Sequence, residues 1–486
     1  MAKRAPAPAT DEPAGGGILP PSFRFGVATA GFQVEGGFNG PGEPANNWLT
    51  WEREGRVEPS GAAVQFWDRY EDHLARARAM GCNAFRMGVE WARCEPAEGD
   101  FDMGALAHYG EILRAASAFG LEPLVTLHHF THPSWLGVDF WLDPSSPERY
   151  LQWVQTAVDA LHEQCTNWVT VNELNIYAIE SYLTGSFPPG RRGDTRSMVT
   201  AMDHLLTAHV GAYEVIHRIQ PNAVVGTNNF CFSLYDMDRL LTDVLLARSQ
   251  GVSREDLHLW VEERRFTYAN QCGALIEPPY RRRDNLLAHL AARRVRMEKG
   301  LNRAIAAVYA SPHERCLDVT QIDYYDPVAS HHFRLPGHRT AGGRNWLPGR
   351  ELWDHIENPD GLASYSRMNH QPGLDVWVVE NGLCNRVRRG RSYPRLDGWD
   401  RPSFLKASMR AVVRAIDAGI PIGGYWHWCL VDNYEWGSFE PRFGIFGMDR
   451  ERGLRWMETD AAGHDAAGTY ATIIAGLRAG DRSVLA

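Results

Sequence analysis

Short apolar runs alternate with amphipathic stretches along most of this 486-residue chain, and this alternation is the feature that most limits its fold. We interpret eight of the runs as buried strands: Phe23–Thr29, Ala84–Val89, Pro123–His128, Asn167–Asn172, Ala223–Asn228, Leu317–Tyr324, Asp375–Glu380 and Gly423–Cys429. Several are rich in valine, as strands covered on both faces should be. The intervening stretches with helical spacing include Phe66–Met80, Leu106–Phe119, Pro147–Glu163, Met198–Ile219 and Ser403–Ala418. Eight alternations of strand and helix predict an α/β fold, a single (β/α)8 TIM barrel.

The length of the chain predicts one barrel domain with long loop insertions. A barrel of this kind needs about 250 residues, so the remainder must lie in loops. The longest insertion runs from Ser233 to Arg315, and Ala341–Arg350 and Arg386–Asp400 are loop-like stretches rich in Gly, Arg and Pro. Residues 1–20 are rich in Ala, Pro and Gly and predict a disordered tail. We therefore expect a tail over residues 1–20 and one domain over residues 21–486.

Charge and cysteine usage exclude several classes of protein. The chain has 50 Lys and Arg against 59 Asp and Glu, a net charge of −9, which argues against a nucleic-acid partner. We find no apolar stretch of about 18 residues, the length of a membrane span, and no secretory signal after the first basic residues. The eight cysteines form no CxxC pair, which favours free thiols in a reducing compartment. The sequence predicts a cytoplasmic location, and it is compatible with a homo-oligomer.

Polar and aromatic side chains lie where the predicted strands end. In a (β/α)8 barrel these carboxyl ends meet at one mouth, where function is located. A packed core would not place carboxylates and amides there, so we expect the functional site at this mouth. The side chains are Gln33, Arg86, His128, His129, Asn172, Glu173, Asn228, Asn229, Tyr324, Tyr325, Glu380, Asn381, Trp426, His427 and Trp428.

Two glutamates, Glu173 and Glu380, end the apolar runs WVTVNE and VWVVEN. On strands four and seven of a barrel they would face one another across the mouth. Two facing carboxyls are the groups that cleave a glycosidic bond: the protonated one assists the leaving oxygen and the ionised one attacks the anomeric carbon. The chain also has 17 tryptophans, and flat indole rings near these glutamates would suit a ring-shaped ligand.

Six segments in chain order carry a family resemblance. They are FRFGVATAGFQVEGG, FRMGVEW, LVTLHHFTHPSWL, WVTVNELN, VWVVENG and GYWHWCLVDNYEWGSFEPRFGIFGMD. From Ser22 onward the chain resembles the family 1 glycoside hydrolases, the β-glucosidase and β-galactosidase group. The resemblance implies a retaining β-glycosidase that hydrolyses a terminal β-D-glucosyl, galactosyl or fucosyl residue by double displacement through a covalent glycosyl-enzyme. Its partner would be a small-molecule β-glycoside.

The resemblance also implies roles for individual residues. Glu380 matches the nucleophile and Glu173 the acid/base residue, which makes residues 21–486 the catalytic domain. Arg86 beside Glu380 would favour its ionised form, and Tyr325 could donate a hydrogen bond to the same carboxylate. Asn172 would hold the 2-hydroxyl of the sugar. The other expected sugar contacts are Gln33, His129, Trp428, Glu435, Trp436 and Phe443.

Four positions depart from the family pattern. Leu174 stands where the family usually has Pro, so the orientation of the acid residue is open. Asp323 stands where the family usually has Asn, and this extra carboxylate could either raise neighbouring pKa values or pair with Arg86. Phe130 replaces a usual Trp, and His132 replaces a more common Leu. Both predicted catalytic glutamates are intact.

Alternative functions stay open at this point. A transglycosidase would use the same residues and differ in its acceptor, which the long loops would bind. A non-catalytic carbohydrate-binding barrel would require loss of a catalytic glutamate. We expect no metal and no cofactor, because His128, His129 and His132 lack a completing carboxylate or thiol at ligand spacing. Carboxylates at Glu435 and Glu440 disfavour a sugar phosphate as substrate.

Overall fold

The computed structural model describes residues 18–272, 296–327, 352–355, 357–395 and 397–486. The predicted tail over residues 1–20 falls almost wholly outside the described residues and stays a prediction. The loop-like stretch Ala341–Arg350 also lies outside them. The division of the chain into a tail and one domain stays a prediction.

Within the described ranges, fourteen strands lie in three sheets. They are β1 (Arg24–Ala28), β2 (Ala84–Gly88), β3 (Glu122–Thr126), β4 (Asn167–Val169), β5 (Val224–Gly226), β6 (Asn228–Phe230), β7 (Thr320–Asp323), β8 (Val376–Asn381), β9 (Asn385–Arg388), β10 (Arg391–Tyr393), β11 (Ile422–Trp428), β12 (Pro441–Arg442), β13 (Met448–Asp449) and β14 (Arg455–Trp456). The main sheet has nine strands in the order β5-β4-β3-β2-β1-β11-β8-β7-β6. Each of the eight predicted strands coincides with part of it.

The nine segments of the main sheet form a closed barrel of eight strands, because β5 and β6 are two parts of the fifth barrel strand. Val224–Gly226 pairs with β4, whereas Asn228–Phe230 pairs with β7, and both pairings are parallel. Only Thr227 separates the two segments, so the two edges of the nine-segment sheet belong to one continuous strand. The side chain of Thr227 donates a hydrogen bond to the carbonyl of Val171 at this break. The predicted (β/α)8 TIM barrel is confirmed.

Helices surround the barrel. The α-helices are Gly31–Val34, Leu49–Arg53, Phe66–Ala79, Trp91–Cys94, Met103–Ala118, Ser146–Leu161, Leu174–Ile179, Thr195–Ile219, Tyr235–Asp238, Leu240–Leu246, Leu257–Gln271, Asn302–Ala310, Gly361–Asn369, Arg401–Asp417 and Ala466–Arg478. Shorter 3-10 turns occur at Ser134–Leu136, Phe140–Leu142, Arg248–Gln250, Met297–Lys299, Leu352–Asp354 and Ser483–Leu485, and a π-turn at Glu180–Thr184.

Three helices begin two or three residues earlier than predicted, because an aspartate caps each one. Asp102 accepts a hydrogen bond from the backbone N–H of Ala105. Asp194 and Asp400 accept from Ser197 and Ser403 in the same way. An N-cap side chain satisfies a backbone donor of the first turn, so the helix can begin directly after it. The apolar periodicity used for the prediction starts only further along each helix.

The strands divide the apolar core into an inner and an outer part. On β3, Leu124 packs inside the barrel, and the adjacent Val125 packs outward against the helices. On β2, Ala84 belongs to the inner cluster, whereas Phe85 and Met87 belong to the outer one. This two-residue alternation also turns Arg86 inward, where its side chain is fully buried.

Part of the predicted loop Arg386–Asp400 is a β-hairpin, so that prediction is wrong there. β9 and β10 pair in antiparallel register with Arg388 opposite Arg391. The two residues between them, Arg389 and Gly390, have φ values of 51° and 67°. A two-residue hairpin turn with both central residues in the left-handed region matches the twist of its strands. β12 extends this hairpin to three strands.

The helices of the described residues include none that combines the length and apolar character needed to cross a membrane.

Candidate active site

Three carboxyl groups meet at the carboxyl-terminal mouth of the barrel. Glu173 lies just after β4, Asp323 ends β7, and Glu380 lies near the end of β8. One oxygen from each of the three lies within 4.8 Å of the others. All three side chains are buried. The two glutamates singled out in the sequence are therefore brought together, with a third acid beside them.

A shift in the β7–β8 ladder directs Glu380 into the mouth. Ile322 lies opposite Val378, but the next residue, Asp323, lies opposite Glu380. Val379 is therefore an extra residue on β8. A bulge of this kind re-aims the side chain that follows it and is frequent beside active sites.

Glu380 receives hydrogen bonds on both oxygens. Arg86 Nη1 donates to Oε1 at 2.6 Å, and the Tyr325 hydroxyl donates to Oε2 at 3.0 Å. Burial raises the pKa of Glu380, while the Arg86 charge and the two hydrogen bonds oppose that rise. The predicted contacts of Arg86 and Tyr325 with this carboxylate are present, and both favour its ionised form.

Glu173 has a contrasting environment. Burial raises the pKa of Glu173 well above its ordinary value, and the charges of Asp323 and then Glu380 add to this. Its backbone has φ 35° and ψ 58°, a left-handed conformation that is rare outside glycine and concentrated at functional sites. Leu174, which replaces the usual Pro, is fully buried and begins the helix Leu174–Ile179 directly after it.

A polar network links the two glutamates. The Arg86 Nη2 donates to Asn172 Oδ1, and Asn228 Nδ2 donates to the same oxygen at 2.8 Å. Asn228 Nδ2 also donates to Asp323 Oδ2. The Nε of Arg86 donates to the Thr126 hydroxyl at 3.1 Å. Arg86 thus fixes Glu380 and Asn172 at once.

Sequence reasoning assigned no role to Thr126 or Asn228. Thr126 is polar at an inward position of β3, and Asn228 is a strand-end amide of the fifth strand. Both signals were available from the strand pattern. The two expectations for Asp323 are a rise in neighbouring pKa values and a pairing with Arg86; the charge of Asp323 raises the pKa of Glu173, in the direction of the first. Among the described contacts, Asp323 Oδ2 accepts from Asn228 and not from Arg86, and Asp323 Oδ1 is buried without a donor.

A second polar group lies on the other side of the mouth. Gln33 Nε2 donates to Glu435 Oε2 at 3.0 Å, and the Trp428 indole N–H donates to Glu435 Oε1 at 3.1 Å. Burial raises the pKa of Glu435 to about 8, against the effect of these two donors. These three predicted sugar contacts, one after β1 and two at and after the end of β11, therefore form one hydrogen-bonded unit.

His129 joins the two groups. Its Nε2 lies 3.2 Å from Asn172 Nδ2, and its ring stacks on Trp428 and Trp436, each with a centroid separation of 5.7 Å. Burial lowers the pKa of His129 well below its ordinary value, so the ring is neutral and its Nε2 accepts from the Asn172 amide. Its Nδ1 makes no hydrogen bond to any described residue.

The two other departures near His129 have structural contacts. Phe130 packs against Trp436 with a centroid separation of 4.9 Å. His132 Nε2 contacts the Gly137 carbonyl at 3.0 Å, and burial lowers its pKa to about 4. His132 therefore supports the loop after β3. Phe443 packs edge-on against Tyr325 with a centroid separation of 6.1 Å, beside the carboxylate of Glu380.

The residues described by the structure contain one set of acidic, His or Cys side chains close enough to surround a metal ion, namely the three carboxyls. The Arg86 guanidinium already lies against Glu380, and Asn228 already donates to Asp323. These contacts favour a role for the three carboxyls in proton transfer over a role in metal binding. The expected absence of a metal and of a cofactor stays a prediction, which unchanged activity in a chelator would support.

Comparison with known sequences finds a matching family model and similar proteins. The sequence model of Glycosyl hydrolase family 1 matches residues 16–264 and 322–462. A 6-phospho-beta-galactosidase 1 of Streptococcus pneumoniae is 24% identical over 460 residues, covering 91% of this chain and 96% of that protein. A wheat (Triticum aestivum) chloroplastic protein named as a benzoxazinyl glucoside beta-D-glucosidase is 25% identical over 89% of this chain and 80% of its own length.

Solved structures share the fold. The beta-glucosidase from Thermotoga maritima in complex with noeuromycin has a TM-score of 0.68 and 23% identity, with 94% of this chain and 99% of that chain covered. The beta-glycosidase from Pyrococcus horikoshii has a TM-score of 0.65 and 23% identity, with 94% and 95% covered.

Proposed function

The chain belongs to glycosyl hydrolase family 1, and from that premise we propose that Glu380 and Glu173 carry out its retaining hydrolysis of a terminal, unphosphorylated β-D-glycoside. The observation that supports this most strongly is the placement of the two carboxyls, with oxygens within 4.8 Å of one another. Retaining enzymes have their carboxyls about 5–5.5 Å apart, whereas inverting enzymes need about 6.5–9.5 Å to admit a water.

In the first step, Glu380 is the nucleophile. One of its oxygens attacks the anomeric carbon while Glu173 gives its proton to the glycosidic oxygen, so the alcohol leaves and a glycosyl ester forms on Glu380. Two donors to Glu380, Arg86 and Tyr325, support the ionised form that the attack requires. The Asn172 amide is placed to bind the 2-hydroxyl, a contact that strengthens in the transition state.

In the second step, the roles of the glutamates change. Glu173, now ionised, takes a proton from water, the water oxygen attacks the anomeric carbon, and Glu380 leaves as a carboxylate. The sugar is released with the same anomeric configuration as the substrate. The pKa of Glu173, raised well above normal, supports its service as acid and then as base near neutral pH.

An unphosphorylated sugar suits the second polar group better than a sugar phosphate. Glu435 is held by the neutral donors of Gln33 and Trp428, which match hydroxyl groups. A phosphate dianion calls for cationic donors, and neither Gln33 nor Trp428 supplies one. The Glu440 carboxylate, also expected to repel phosphate, is ion-paired with Arg386 at 2.7 Å, so the neutral donors around Glu435 carry this argument.

A panel of nitrophenyl β-glycosides tests the substrate. We expect turnover of the glucoside, galactoside or fucoside, with kcat/KM at least tenfold above that of the corresponding 6-phosphate. A preference for the 6-phosphate would overturn this part of the proposal. Product analysis with an added alcohol separates hydrolysis from transglycosylation. Hydrolysis is the outcome expected for a member of this family, and the predicted acceptor loop Ala341–Arg350 lies outside the described residues.

A cytoplasmic location is part of the same proposal. All eight cysteines are buried free thiols, which fits a reducing compartment. Fractionation of the source cells, with the activity followed on a nitrophenyl glycoside, tests it. Recovery of the activity outside the cytoplasmic fraction would contradict it. Size-exclusion chromatography with light scattering tests whether the chain forms a homo-oligomer.

A further inference from the structure

Asp323 adds a third buried acid to a site that already contains the nucleophile and the acid/base residue. Its side chain is fully buried at the end of β7. In the described part of the chain, one guanidinium group contacts this cluster, that of Arg86, and it donates to Glu380. Three buried carboxyls with one adjacent cation cannot all be ionised, since each further negative charge raises the pKa of the others. At least one proton must therefore reside within the cluster near neutral pH.

The hydrogen bonds show which carboxyl holds that proton. Glu380 accepts from two donors, so it is the ionised member. Asp323 Oδ2 accepts from Asn228, whereas its Oδ1 is buried with no donor among the described residues. The carboxyls of Asp323 and Glu173 have oxygens within 4.8 Å of each other. Glu173 Oε1 is buried and has no protein donor in the described part of the chain. A hydrogen bond between two carboxyls requires a proton on one of them, and the Asn228 donor favours the ionised form of Asp323.

We propose that Asp323 is a positioning residue that accepts a hydrogen bond from protonated Glu173 and keeps the acid of this active site in its protonated form. The family usually has Asn at this position. An Asn side chain carries no charge, so it would not raise the pKa of the acid as Asp323 does. The inference rests on the proposed roles of Glu173 and Glu380. It adds that two carboxyls, those of Glu173 and Asp323, hold the catalytic proton between them. With the usual Asn at position 323, the acid would lie beside an amide.

The charges around the pair give the direction of its effect on pH dependence. After burial, the negative charge of Asp323 is the largest cause of the raised pKa of Glu173, followed by Glu380, and Arg86 opposes them. The pKa of Asp323 is also raised well above its ordinary value, by burial and then by Glu380, while Arg86, Glu173 and Asn228 oppose the rise. The hydroxyls of Tyr325 and Tyr365 also face Asp323, and their own pKa values are raised, so both stay neutral.

The test is the pH profile of Asp323→Asn. An amide at this position can accept from Asn228 through its oxygen and donate to Glu173 through its N–H, which favours ionised Glu173. We expect the alkaline limb of kcat/KM, measured with a phenyl glycoside of poor leaving ability, to move down by about 1 pH unit or more. A uniform fall in kcat/KM with an unmoved limb would show a merely structural role and overturn the proposal.

The matched control is Asp375→Asn. Asp375 directly precedes β8, at the amino end of the barrel strands and on the opposite side from the active site. Its pKa is also raised by burial. We expect the alkaline limb to be unchanged in this variant. If Asp323→Asn does not fold, Asp323→Ser removes the same charge and still offers a hydroxyl to Glu173, with the same expected direction.

A measurement without turnover separates this proposal from the proposed function. The titration of Glu173 is followed by 13C NMR of protein labelled at the glutamate side-chain carboxyl carbon, with the signal assigned by its loss in Glu173→Gln. We expect its apparent pKa to be about 1 unit or more lower in Asp323→Asn. The same pKa in both proteins would overturn the pairing. A lowered pKa without hydrolysis of any glycoside would sustain the pairing and overturn the proposed function.

Discussion

Arg86 and Glu380, on different strands of the barrel, form an ion pair with a 2.6 Å contact. The pair is buried, since the two side chains are 0% and 5% exposed. An isolated buried carboxylate would take up a proton, but a paired and hydrogen-bonded one stays ionised. Glu173, which lacks such a cation, holds its proton more tightly. The contrast between these two environments supports the proposed roles of Glu380 as nucleophile and Glu173 as acid, since two carboxyls with separated pKa values take these roles in glycoside hydrolysis.

The acid role of Glu173 predicts an effect that depends on the leaving group. Glu173→Gln should lower kcat/KM for an alkyl or phenyl glycoside by about 10²–10⁴-fold, the usual contribution of general acid catalysis. A dinitrophenyl glycoside, whose leaving group needs no proton, should lose much less in its first step. Equal losses for both substrates, measured under pre-steady-state conditions, would argue against Glu173 as the acid.

The contacts of Glu435 predict its contribution to sugar binding. Above pH 8 the Glu435 carboxyl, whose pKa is raised to about 8, is ionised, and hydrogen bonds to a charged group are worth about 1.5–3 kcal/mol. Assayed there, Glu435→Gln should lower kcat/KM on the preferred nitrophenyl glycoside by roughly 10- to 150-fold. The control is Glu440→Gln, since Glu440 pairs with Arg386 outside the site and its loss should change kcat/KM by less than about threefold. A similar small change in Glu435→Gln would rule out a direct contact with the sugar.

Glu90 predicts a pH dependence of stability. This buried carboxyl accepts from the Phe32 N–H and the Thr131 hydroxyl, and burial and then Glu35 raise its pKa from 4.5 to about 7. The folded state therefore binds the Glu90 proton more tightly than the unfolded state does. The stabilisation of the folded state that results is complete below pH 4.5 and is lost as the pH rises through 7. The loss is on the order of 2–3 kcal/mol.

Urea unfolding of wild type and Glu90→Gln between pH 5 and 8 checks this dependence. The variant cannot ionise at this position, so its free energy of unfolding should fall less with rising pH than that of wild type. Glu71→Gln, at an exposed position on the helix Phe66–Ala79, should follow the wild-type curve. Parallel curves for wild type and Glu90→Gln would contradict the prediction.

The barrel was predictable because each strand leaves a local signal. The run VWVV before Glu380 and the run WVTV before Asn172 are apolar, short and bounded, as strands covered on both faces are. The break of the fifth strand at Thr227 has no such signal, because it depends on which neighbouring strand each half pairs with. The helices that follow Asp102, Asp194 and Asp400 were predicted to begin too late, because apolar periodicity carries no signal for an N-cap residue.

The site was predictable as a set of residues but not as a network. The position of Glu380 depends on the extra residue Val379 in the β8 ladder, a non-local feature of the sheet. The sequence showed that Asp323 is unusual and left its partner open. Its contact with Glu173 arises from the meeting of the fourth and sixth barrel strands at one mouth, which only the three-dimensional structure reveals.

Covalent trapping tests the central claim, that Glu380 is the nucleophile of a retaining glycosidase. A 2-deoxy-2-fluoro-β-glycosyl fluoride slows both steps, but its good leaving group lets the first step proceed, so a glycosyl-enzyme accumulates. Mass spectrometry of the digested protein should then find one fluoroglycosyl group on the peptide that contains Glu380. In Glu380→Ala the adduct should be absent and hydrolysis of an aryl glycoside should fall by about 10⁴-fold or more, with partial rescue by azide or formate. An adduct on another residue, or full activity in Glu380→Ala, would contradict the account.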